Sequence, residues 1–223
     1  ITVNEFPIAE TRKFVQMMMG INPDPIFLQR VQINTGGNPF YLVEFIQAIR
    51  NSTREISSYS EKNPLPIPET IQALVYEKMR SLSKNAVRII QAAAVNGNSF
   101  SADVLELMVR MENEQFLQAL EEIRAAGFVK VDKDFGLAGG YVFQHDVERY
   151  CIESELDPAR RRDLHLKVAN AVLKRRGRNP ETGLRLAHHF EVAGEFVRAV
   201  EFWTYAGVAS QRQPDPQVVY RHF

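Results

Sequence analysis

The feature that most constrains this chain is its apolar periodicity: hydrophobic residues recur at three- and four-residue steps, and glycine closes several of the runs. That period puts apolar side chains on one face of a helix, so the chain must fold as amphipathic helices that cover one another. Leu42, Phe45, Ile46 and Ile49 follow the pattern on a helix expected to start at Pro39, with Asn38 as its N-cap. Earlier runs cover 8–19, closed by Gly20, and 25–33. Pro68 and Glu69 open a helix with Ile71, Leu74, Val75, Met79 and Leu82 on one stripe, and Ser83 caps the next. That next helix turns Ile89, Ile90, Ala93 and Ala94 inward as far as Gly97. A short helix over 102–109 follows. Another over 113–126 is expected to bury Phe116, Leu117, Leu120 and Ile123 and to stop at Gly127.

Beyond Gly127 the period changes to two. Val129 and Val131 alternate with charge, Gly136, Gly139 and Gly140 form a turn, and Tyr141 and Phe143 alternate on the return. Three short helices followed by a β-hairpin outline a winged helix. A helix over 145–156 then leads to Asp157 and Pro158, a cap with proline in the first turn, and to a long basic helix ending near Arg176. Two last helices, 181–193 and 196–210, meet at Gly194. Ala187, Phe190, Ala199, Phe202, Trp203 and Ala206 give them the small-and-aromatic interlock of a helical-repeat hairpin. The polar, proline-punctuated stretch 51–66 reads as a linker. The expected fold is therefore mainly α: a helical unit over 1–55, a winged helix with a small β-hairpin over 66–156, and the start of tetratricopeptide-like helical repeats over 157–223.

With 223 residues and 45% apolar content the chain can supply genuine cores. Its 27 basic and 27 acidic residues cancel, so no overall field marks a nucleic-acid or membrane-surface binder. Cys151 stands alone, which rules out an internal disulfide framework and a cysteine-based zinc site and fits a reducing, cytoplasmic compartment. No apolar run approaches the roughly 20 residues that span a bilayer. A first residue of Ile1 rather than Met reads as an internal piece of something longer.

Three stretches carry a resemblance: 35–44 (Thr-Gly-Gly-Asn-Pro-Phe-Tyr-Leu-Val-Glu), 143–146 (Phe-Gln-His-Asp) and 160–165 (Arg-Arg-Arg-Asp-Leu-His). In this order and spacing, over nearly the whole chain, they resemble the STAND branch of AAA+-type ATPases. That family includes bacterial transcription activators, cyclase-linked and kinase-linked regulators, and apoptotic and plant-resistance proteins. In it a glycine-x-proline motif of the helical lid sets its proline against adenine, and Gly37, Asn38 and Pro39 match that motif. Its winged helix carries a methionine-histidine-aspartate motif whose histidine touches the β-phosphate of bound ADP. His145 and Asp146 match the last two positions, with Gln144 where methionine stands. The resemblance implies a lid over 1–55, ATP or ADP held by an upstream nucleotide-binding domain of the same chain, no metal in this stretch, and an oligomer or protein partner after activation.

Read without the family, Gly36 to Pro39 is equally a loop before a helix start whose open N–H groups suit a flat base or an anion. His145 is equally a capping or core residue. No GxxxxGK[ST] phosphate loop and no apolar strand ending in paired acids occurs, so the chain is not expected to be an enzyme by itself. His188 and His189 are adjacent and cannot form an i, i+4 metal pair. The rival function is a DNA-binding winged-helix regulator. Glu114, Glu121 and Glu122 against Arg124 on the helix that would read DNA argue against it. Over 158–178 eight cations against Asp163 leave +7, for phosphate, an acidic partner or the −7 remainder of the chain. The expected function is conformational: a regulatory stretch that couples ATP or ADP to opening, in transcriptional or signalling control.

Overall fold

A computed structural model describes residues 5–52, 66–132 and 140–212. Eleven helices and three strands occur among them. Helices α1 (Ile8–Met19), α2 (Pro25–Thr35) and α3 (Pro39–Asn51) form the N-terminal unit. Asp24 starts α2 by accepting the N–H groups of Ile26 and Phe27, each at 2.9 Å. Helices α4 (Glu69–Arg80) and α5 (Lys84–Asn96) follow. The second half of α5 is buried on nearly every side, from Ile89 through Asn96, as befits the central rod of a core. It touches α6 (Ala102–Val109), α7 (Asn113–Ala125), α8 (Asp146–Ser154) and α9 (Pro158–Arg176).

The sheet holds one strand more than the expected hairpin. Strands β2 (Val129–Asp132) and β3 (Gly140–Phe143) pair antiparallel as expected, and β1 (Ser99–Ser101) joins the other edge of β3. The chain from α5 to β3 thus runs helix, strand, helix, helix, strand, strand, the full winged-helix order. Gly140 belongs to β3 rather than to a turn, while Gly136 and Gly139 lie outside the described residues. Most of the linker, 53–65, lies outside them as well. His145 precedes α8 as its N-cap instead of starting the helix.

Buried apolar side chains form one continuous cluster from Val15 to Phe202. Three expected core positions are exposed: Leu74 (45%), Leu117 (54%) and Trp203 (39%). Each lies at the edge of an apolar stripe whose centre is buried, Val75, Phe116 and Phe202 being the inward neighbours. The last pair, α10 (Pro180–Ala193) and α11 (Phe196–Arg212), closes as the expected hairpin. Phe190 stacks on Phe202 with centroids 5.5 Å apart, and Ala187, Ala199 and Ala206 are buried beside them.

Candidate functional site

Folding brings the stretch around Pro39 and the stretch around His145 to the two sides of one cleft. It has a volume of about 500 Å³ and is lined by Asn38 before α3, Tyr41 of α3, Lys78 of α4, Gly127 after α7, Gln144 and His145 before α8, and Glu148 of α8.

Two glycines make the close approach possible. Gly36 and Gly37 follow α2 with φ of 60° and 77°, in the left-handed region. A Cβ on Gly36 would lie 2.8 Å from His145 Nδ1, and one on Gly37 only 2.2 Å from the Phe6 carbonyl oxygen. The Phe6 N–H donates to the Gly37 carbonyl at 2.8 Å, and Gln32 Nε2 donates to the Phe6 carbonyl at 3.0 Å. The glycine pair therefore lets the chain pass between the N-terminal segment and the imidazole.

Asn38 acts as the cap expected of it. Its Oδ1 accepts the N–H of Phe40 at 2.9 Å and of Tyr41 at 3.5 Å, and the Leu42 N–H donates to the Asn38 carbonyl at 2.9 Å. Pro39 has no N–H to offer. The expectation of open N–H groups at this helix start is corrected: the cap closes them to an anion. What the helix start presents is the half-buried Pro39 ring beside Phe40, which is 47% exposed.

His145 is 7% exposed and, although it holds the N-cap position of α8, its side chain makes no capping bond to the helix. The ring stands edge-on to Tyr41, centroids 4.9 Å apart, and Nδ1 has no hydrogen-bond partner among the described residues. Burial pushes the imidazole down to about 4, with Lys78 and Lys130 adding to the effect and the Thr35 carbonyl opposing it. The ring is neutral at pH 7. The carboxyl of the neighbouring Asp146 is raised by burial, Arg149 opposing, and its Oδ1 is also unpartnered among the described residues.

Behind the imidazole lies a polar hub for which no role was anticipated. Glu148 is 1% exposed. Its Oε1 accepts from Lys78 Nζ at 2.8 Å and from the Tyr41 hydroxyl at 3.1 Å. Lys78 also donates to the Gly127 carbonyl at 3.0 Å and lies 4.0 Å from the Phe128 ring centroid. One carboxylate thus ties α3, α4 and α8 together and borders the cleft. A sequence signal existed, because Glu148 falls on the buried face of α8 with Val147, Cys151 and Ile152, where a carboxylate needs a cation.

The basic stretch is largely paired within the chain. Arg160 and Lys167 reach Asp163 at 3.2 and 2.8 Å, and Arg161 reaches Glu153 at 3.0 Å. Arg175 and Arg176 lie 3.9 Å from Asp103, and Arg178 pairs with Glu201. On α7 the outward face carries Glu114 and Glu121, and Arg124 is held by Glu121 at 2.7 Å. Glu122 turns back to accept from the Ser83 N–H and hydroxyl, both at 2.6 Å. Among the described residues no group of His, Cys, Asp and Glu is arranged to hold a metal ion, and no helix is long and apolar enough to cross a membrane. Compared with family models and with curated proteins, the chain matches none.

Proposed function

We propose that this chain is the regulatory part of a nucleotide-switched signalling ATPase, a lid and a winged helix whose relative position follows the ATP or ADP held by an upstream domain of the same chain. The observation that carries this reading is the meeting of the two family-like motifs at one cleft. A Cβ on Gly36 would lie 2.8 Å from His145 Nδ1, and that nitrogen is buried without a hydrogen-bond partner among the described residues. Polar atoms buried in this way are costly unless a partner completes them.

In the ADP state the Pro39 ring lies against adenine, and the neutral imidazole of His145 exchanges its contact with the Thr35 carbonyl for a hydrogen bond from its one N–H to the β-phosphate. That bond adds to the lid-to-wing contacts and favours the closed form. In the ATP state the winged helix moves away and the protein opens to its partner or to further copies of itself. Asn38 acts here as a cap that aims Pro39, not as a ligand-binding side chain. The setting is cytoplasmic, and the output is transcriptional or signalling control. A DNA-binding role has less support, because the outward face of α7 is acidic and most cations of α9 already have carboxylate partners. The test is the rate of ADP release from the longer chain when His145 is replaced.

A further inference from the structure

A second polar cluster, unused by the nucleotide reading, lies where α8, α9 and α10 meet. His165 of α9 and His189 of α10 are 2% and 4% exposed, and their Nδ1 atoms are 3.0 Å apart. On its other side His165 turns Nε2 toward Glu153 of α8, 3.7 Å from Oε1, an electrostatic contact too long for a hydrogen bond. Arg149 and Arg161 hold that carboxylate at 2.9 and 3.0 Å.

Two ring nitrogens at hydrogen-bond distance share one hydrogen, since one must donate and the other accept. With His165 Nε2 carrying its hydrogen toward Glu153, His165 Nδ1 accepts and His189 Nδ1 donates. One added proton fits: with hydrogens on both nitrogens of one ring, the other ring keeps its hydrogen on Nε2 and accepts at Nδ1. A second does not fit, because hydrogens on both Nδ1 atoms would point at each other. It would also add charge beside Arg185 and His188 of α10, with no acid among the groups that act on His189; Glu153 and Glu191 act on the neighbouring His188. Burial, then Arg185, His165 and His188, hold His189 well below the usual imidazole range.

We infer that the His165–His189 pair is a proton-operated latch that fastens the α10–α11 hairpin to α9 at neutral pH and releases it on acidification. The hairpin can separate because α11 packs chiefly on α10, and α10 chiefly on α9. Released, His189 titrates as an ordinary imidazole and the pair holds one proton more than when docked. The released state therefore gains as pH falls below about 6.5, by about tenfold per pH unit.

The test is residue-level hydrogen exchange at pH 7.5 and 5.5, corrected for intrinsic rates, in a His188→Gln background that removes the exposed neighbouring ring. Protection in α10 and α11 should fall about tenfold at the lower pH while staying below that of α5, whose exchange reports global opening. His189→Gln keeps a donor for His165 without titrating and should reduce that drop to less than about twofold. Equal protection at both pH values before that substitution, or an unchanged drop in His189→Gln, overturns the latch. Should His189→Gln fail to fold, ring-nitrogen NMR of the chain with His189 in place decides. Uptake of one proton by the pair while the hairpin is docked supports the latch, and two protons on a hairpin that is still protected overturn it.

Discussion

Tyr41 of α3 and Glu148 of α8, 107 residues apart in the chain, meet through a 3.1 Å hydrogen bond inside the seam between the N-terminal helices and the winged helix. Lys78 of α4 reaches the same carboxylate oxygen at 2.8 Å, so three helices share one buried acceptor. Whatever moves the N-terminal helices relative to the winged helix must break or carry this hub.

Removing its cation strands the acid, so Lys78→Met should cost about 3–5 kcal/mol, whereas Tyr41→Phe should cost about 1.5–3 kcal/mol. Burial raises the Glu148 carboxyl above its usual range, with Lys78 and then Tyr41 opposing. A raised acid stabilises fully below the unfolded value of about 4.3 and loses that contribution as pH rises through the folded value. Lys78→Met moves this window upward, so its deficit should be larger at pH 8 than at pH 5. Urea denaturation at the two pH values checks this, and equal deficits would show that the pair is not coupled.

His145 sets a second pH dependence of opposite sign. Its folded ring stays neutral down to about 4, while the unfolded ring protonates at about 6.5. Between those values the unfolded state binds more protons, so acidification destabilises the fold by an amount on the order of 2–3 kcal/mol. His145→Gln should remove this share of the loss between pH 7 and pH 4.5. An identical pH profile for variant and parent would contradict a buried neutral ring.

The glycine pair separates backbone strain from steric blocking. Gly37→Ala would press a Cβ onto the Phe6 carbonyl as well as strain a left-handed residue, and should cost about 3 kcal/mol or more. Gly36→Ala strains the backbone by about 1–2 kcal/mol and displaces the His145 ring, which can be followed through its NMR shifts. A Gly36→Ala variant with an unmoved ring would show that the close approach is not a constraint.

Pairing of the α9 cations with carboxylates of α6, α8 and α9 leads to a negative expectation for DNA. At physiological salt, binding to a mixed-sequence duplex should be no tighter than about 10 µM and should weaken steeply with added salt. Filter binding or fluorescence anisotropy checks this, and submicromolar binding lost in Arg124→Ala would restore the DNA-reading role of α7.

Local signals carried most of the helices. Gly20, Asn38, Ser83, Asp157 and Gly194 all mark helix ends where sequence chemistry put them. β1 was illegible because Ser99–Ser101 is short and is defined only by its pairing with β3, some forty residues away. The motifs around Pro39 and His145 were visible, but their meeting was not. The Tyr41–Lys78–Glu148 hub joins residues 70 and 107 positions apart, a distance over which periodicity carries no information. For α9 the net charge could be read from the sequence, but its carboxylate partners on other elements appear only in the fold.

The most direct test of the proposed nucleotide switch is ADP dissociation from a protein that joins this chain to the upstream nucleotide-binding domain the proposal requires, measured with and without His145→Ala, together with the melting temperature of both proteins. A hydrogen bond to a phosphate contributes about 1.5–3 kcal/mol, so the off-rate should rise roughly ten- to a hundredfold as the closed state loses that link. An unchanged off-rate with a lowered melting temperature would contradict the switch and leave His145 a structural residue of the seam.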